Sequence, residues 1–99
     1  MTDNRLILEA ITSKRCIEAI YNRMRMKLAP HVLYTKHGDP FLDGVAMERD
    51  GKVLTDPRMG TFKLAGLEIT RILGTTFVPL PGFDANDPKY AETVPFAVA

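Results

Sequence analysis

At 99 residues the chain suits one domain with a small core. Its 13 Lys and Arg stand against 12 Asp and Glu, so net charge is near zero and a generally polybasic nucleic-acid binder is not indicated. The lone cysteine, Cys16, excludes an intrachain disulfide and fits a reducing compartment, while the polar N-terminus and short apolar runs argue against a signal peptide or a membrane span. A soluble cytoplasmic protein is expected, with no membrane among its partners.

Thr2 or Asp3 can cap a helix in which Leu6, Ile7, Ala10 and Ile11 recur at helical spacing, with Leu8 off the stripe. Lys14 and Arg15 close it, where positive charge suits the helix C-terminus. The period then switches to two. Residues 16–22, CIEAIYN, read as a strand with Cys16 as a small core residue, and a turn follows near Asn22 and Arg23. Next comes strict alternation: Met24, Met26 and Leu28 point one way, Arg25 and Lys27 the other. Pro30 marks an edge, a bulge or a bend in a long strand that resumes through Tyr34.

Residues 37–40, HGDP, signal a turn, and residues 41–47 a further strand in which Gly44 implies a bend or a close backbone approach. Asp50-Gly51 is a hairpin signal and Asp56-Pro57 a second breaker. Residues 61–64 and 67–73 give two more strand-like runs, and residues 75–80 a last extended piece. From Pro81 on, three prolines and scattered acids leave no period. One helix followed by about five short strands makes a mainly β chain, a small SH3-like or Sm-like antiparallel barrel with the helix over one open end. The barrel domain is expected over 1–80, with 81–99 an irregular tail not needed for its folding.

The order of Ile20-Tyr21, Leu28-x-Pro30-x-x-Leu33, Gly38, Phe41-Leu42 and Phe62-x-Leu64 resembles the WYL domain, an Sm-like barrel found mostly in bacterial transcriptional regulators. The likeness spans roughly residues 6–73. The triplet that names the family falls on His31-Val32-Leu33, so its Trp and Tyr are replaced here. Met26 and Gly60 stand where the family usually has arginines. The resemblance implies a non-catalytic sensor of nucleotides or nucleic acid, acting with a partner chain that carries the DNA-binding part.

The row Arg23, Arg25, Lys27 has two readings. Alternate strand residues lie about 7 Å apart, close to the phosphate spacing of an extended single strand. The plainer reading is a solvated strand face. The candidate anion contacts are Arg25, Lys27 and His31, with Arg58 and Lys63 standing in for the missing family arginines. Tyr21, Tyr34 and Phe62 could stack on bases or fill the core. His31, His37, Asp39 and Asp43 match no metal-ligand spacing, Asp43 is a candidate ion-pair partner for the basic strand, and neither a metal nor another cofactor is expected. No nucleophile, base or phosphate loop can be assembled, so an enzyme is not expected. The alternative to a sensor of a negatively charged ligand is a protein-interaction module using barrel edges or the tail, and a homo-oligomer is compatible with either.

Overall fold

The computed structural model describes residues 4–56, 58–90 and 96–98. A helix, α1 (Asn4–Ser13), precedes the strands β1 (Arg15–Tyr21), β2 (Met24–Lys36), β3 (Asp39–Arg49), β4 (Lys52–Val53), β5 (Met59–Lys63), β6 (Leu67–Thr76) and β7 (Phe96–Ala97). One 3-10 turn, Leu64–Gly66, links β5 to β6, and another, Pro88–Tyr90, lies in the C-terminal segment. All pairings are antiparallel within one sheet of order β4-β3-β2-β1-β6, with β5 also on β3 and β7 also on β2. The last long strand thus returns beside the first, and the sheet curls into a half-barrel.

The helix buries Ile7, Ala10 and Ile11 against β1, β2 and β6, as the helical spacing predicts. The proposed caps at Thr2 and Asp3 lie outside the described residues. The C-terminal end differs from expectation. Lys14 takes a left-handed conformation, φ 55°, and its amide turns back to the Ile11 carbonyl at 3.3 Å. Arg15 already belongs to β1 and donates Nε to the Leu73 carbonyl at 2.9 Å. Lys14 is therefore the residue that ends the helix, and neither basic side chain sits in its last turn.

Three hairpins use the same device. Asn22 and Arg23, His37 and Gly38, and Asp50 and Gly51 all have positive φ, the two-residue turn whose twist matches that of its flanking strands. Arg23 therefore sits in a turn, outside the strand row of Arg25 and Lys27. The strand β2 is long because Pro30 does not end it. Pro30 is buried opposite Gly44 of β3, and the register slips between Pro30 and Val32. Gly44 in turn faces Gly60 of β5. A Cβ on Gly44 would lie 2.8 Å from the Ala29 carbonyl oxygen, so only glycine lets the strands approach this closely. The register slip beside this proline–glycine–glycine line is an irregularity of the kind that bends a strand. The anticipated last extended piece over 75–80 is only partly strand: Thr75 and Thr76 complete β6, and residues 77–80 leave the sheet.

The main core gathers Ile7, Ile11, Ile17, Met26, Leu28, Leu42, Phe62 and Leu67. Along residues 28–32 of β2 every side chain is buried, which breaks the period-two pattern. The second face of this stretch is covered by the C-terminal segment. Tyr90 packs with Val32 and Tyr34 in a smaller cluster, and Val98 joins the main core. Among its described residues the tail is irregular apart from the 3-10 turn and β7, but it is built into the fold.

Candidate binding surfaces

The charged row of β2 does not stand alone. In the register of β1 and β2, Glu18 lies opposite Lys27, and in that of β2 and β3 Lys27 lies opposite Glu48. Lys27 Nζ is 3.4 Å from a Glu48 carboxylate oxygen, and Arg71 of β6 is 3.4 Å from Glu18. Glu18 is held below the usual carboxylate range by the Thr70 hydroxyl, against the opposing effect of burial and with further help from Arg71 and Arg25. Glu18, Lys27, Glu48 and Arg71 line a groove of about 200 Å³ together with Arg25 and Leu73. Arg25 is exposed, and among the described residues its guanidinium forms no ion pair. The groove therefore holds three cations and two carboxylates, a mixed field rather than a positive track.

The remaining predicted contacts lie elsewhere. Arg58 pairs with Asp56 at 2.8 Å on the surface, and Lys63 stands 3.6 Å from Asp39. Tyr34 and Phe62 are core residues, and Tyr21 meets Phe62 edge-on at 5.2 Å between ring centres. His31 is 1% exposed and faces inward. Its Nδ1 donates to the Ala29 carbonyl at 2.8 Å and its Nε2 accepts the Leu80 amide at 2.9 Å. That pair of bonds requires the neutral ring. Burial lowers its pKa, against the opposing pull of the Ala29 carbonyl and Asp43. The ring lies between Phe77, 5.1 Å away, and Phe83, 5.2 Å away and edge-on.

Asp43 has no exposed surface. Its Oδ1 accepts the Tyr34 hydroxyl at 2.7 Å and the Thr61 hydroxyl at 2.9 Å. Its Oδ2 accepts the Tyr90 hydroxyl at 2.8 Å and lies 2.8 Å from Lys89 Nζ. Burial alone would raise this carboxyl, but Lys89, Tyr34, Tyr90 and Thr61 outweigh it and hold Asp43 below its ordinary range. Burial and the bond to Asp43 push Tyr34 up to about 12 and raise Tyr90 as well. The cation that pairs with Asp43 therefore comes from the tail, since Lys27 of the basic strand is taken by Glu48. Among the described residues no cluster of His, Cys, Asp and Glu is arranged to hold a metal.

A third feature had no advance notice. Ala29, His31, Val45, Met47, Thr76, Phe77, Val78, Leu80 and Pro81 line a mainly apolar cleft of about 370 Å³. Val78 is 87% exposed and Met47 36%. The wall formed by residues 77–80 is fixed at both ends: the Phe77 amide donates to the Lys14 carbonyl at 2.9 Å, and the Leu80 amide to His31. The sequence carried one signal of this wall. In FVPLP, prolines at 79 and 81 remove the amides along one edge of the run, which disfavours a ladder on that side and is a signal that the segment leaves the sheet. No described helix is long and apolar enough to cross a membrane. No family model, no curated protein and no solved structure matches the chain.

Proposed function

We propose that this chain is a non-catalytic binding module whose working surface is the apolar cleft, and that its partner is a protein segment presenting apolar side chains. The observation that carries this is Val78: a large apolar side chain left almost fully exposed on a wall held by two backbone amides, one on the Lys14 carbonyl and one on the His31 ring. Exposed apolar groups gathered around a concavity mark interaction sites, and a wall already ordered costs less to bind than a loop that must first be ordered. The interior polar groups, His31 and Asp43 above all, are each engaged in structural hydrogen bonds, which supports binding rather than catalysis.

A second reading rests on Arg25. Its guanidinium, without an ion pair among the described residues and beside Lys27 and Arg71, favours a small anion such as one phosphate or carboxylate, and the likeness to WYL domains adds a link to transcription regulation through a partner chain. A long polyanion is less favoured, because Glu18 and Glu48 flank the row on both sides.

The two readings separate by substitution. Peptides selected from a displayed library on the wild-type chain are titrated, as are labelled nucleotides and oligonucleotides at low and moderate salt. The cleft reading expects peptide binding that Met47→Asp with Val78→Asp abolishes and Arg25→Ser with Lys27→Ser leaves intact. Nucleotide binding lost only in the Arg25 and Lys27 variant would put the anion reading in its place.

A further inference from the structure

β2 offers a second edge that the sheet does not fill. β1 pairs with β2 only along Met24 to Leu28, whereas β3 follows β2 from Met26 to Lys36. Beyond Leu28 the side that β1 vacates is met by β7 alone among the described strands, at Val32 and Leu33. The occupant is the chain's own end. The Val98 amide donates to the His31 carbonyl at 2.7 Å and the Val98 side chain is buried, while Phe96 stays 42% exposed. Much of what this slot recognises is thus backbone, with one aliphatic anchor at the position of Val98.

The hold on that end is divided. β7 is two residues long, and the same segment is clamped upstream by Lys89 and Tyr90 on the Asp43 carboxylate. We infer that the β2 edge is a strand-addition site for an extended peptide of a partner protein, carrying one aliphatic residue at the Val98 position, and that the chain's own Phe96–Val98 stretch occupies it as an internal competitor. The chemistry of the occupant is read from what sits there now. Lys89 and Tyr90 set how often the slot is vacant, because a site available for a fraction of the time shows an apparent affinity reduced by that fraction. This inference is independent of the cleft.

The test uses the full chain and a fluorescent synthetic peptide of residues 92–99, read by anisotropy. Each variant is first shown to unfold cooperatively on heating. Wild type should bind weakly, and Lys89→Ala with Tyr90→Phe about tenfold more tightly, because the internal competitor is released. Phe96→Ser changes only a half-exposed side chain and should also tighten binding, so it carries the test if the double variant does not fold. A peptide with Val98→Asp should not bind, and Met47→Asp with Val78→Asp should bind the unaltered peptide as wild type does, which keeps a failure of the cleft separate. Folded variants that bind no more peptide than wild type, or a Val98→Asp peptide that binds equally well, would overturn the inference.

Discussion

Tyr90 donates its hydroxyl to Asp43 at 2.8 Å across 47 positions of sequence, so a residue of the irregular tail completes a carboxylate buried in the third strand. Replacing Asp43 by Ala removes the acceptor for Tyr34, Thr61 and Tyr90 and the counter-ion of Lys89. The expected loss is about 1–3 kcal/mol in urea unfolding, chiefly from buried hydroxyl donors left unsatisfied, since Lys89 is partly exposed and can be solvated. Tyr90→Phe removes one donor and should lose about 1–3 kcal/mol. The pH dependence follows from the directions of the shifts. Asp43 is depressed, so its contribution is present above the ordinary carboxylate range and disappears as pH falls through its folded value. Tyr34 and Tyr90 are raised, so theirs is present below about pH 10 and disappears as pH rises through their folded values. A stability plateau across neutral pH that is flattened further on both sides by Asp43→Ala is the expected profile.

Removal of residues 81–99 should destabilise the barrel rather than leave it intact. The deletion takes away Tyr90, Val98 and two of the donors to Asp43, and uncovers Val32 and Tyr34. Val98→Ala alone should lose about 2 kcal/mol for the buried methyls and the space they leave. A truncated chain with an unchanged urea midpoint would show that this packing is incidental.

His31 should make the fold sensitive to mild acid. Its pKa is lowered by burial, so the unfolded chain takes up the proton first. The neutral ring's contribution is full above about pH 6.5 and declines as pH falls below that value, because Nε2 can no longer accept the Leu80 amide once protonated. The urea midpoint of wild type should drop between about pH 7 and pH 5, and drop less in His31→Gln. The protection of the Leu80 amide against exchange, taken relative to the intrinsic rate at each pH, should fall over the same interval in wild type only.

The alternation of β2 gives a paired prediction. Met26 is buried, so Met26→Asp places a charge in the core and should cost several kcal/mol, on the order of the penalty for an unpaired buried polar group. Arg25→Ser with Lys27→Ser should cost about 1 kcal/mol or less, since Arg25 is exposed and the Lys27–Glu48 pair is partly solvated. Equal losses in the two variants would mean that the inward and outward faces of the strand had been assigned wrongly.

The strands and their turns were legible because short-range chemistry decides them. Met24 to Leu28 alternate, Asn22-Arg23 and Asp50-Gly51 tolerate positive φ, and Gly44 sits where two backbones meet. The sites were far less legible, because they are made by residues distant in sequence. Nothing local to β2 announces that Glu18 and Glu48 will flank Lys27, so a row that is wholly basic in one strand becomes mixed in the sheet. Nothing local marks His31, a candidate anion contact by sequence, as an interior residue, since its burial depends on the distant Leu80 amide and two phenylalanines. By sequence Asp43 is no more than a pairing group for the basic strand, since its donors Thr61, Lys89 and Tyr90 come from β5 and the tail. The tail itself has no period to read: its anchors, Tyr90 and Val98, are single residues in irregular chain.

The central claim is that the cleft beside Val78, and not the charged groove, is where a partner binds. It is tested most directly by following backbone amide and methyl NMR signals of the isotope-labelled chain while a peptide selected on wild type is added. The account predicts shifts concentrated at Val45, Met47 and residues 76–80, with Arg25, Lys27 and Arg71 unmoved. Shifts confined to Arg25, Lys27, Glu48 and Arg71, with Met47 and Val78 unchanged, would contradict it.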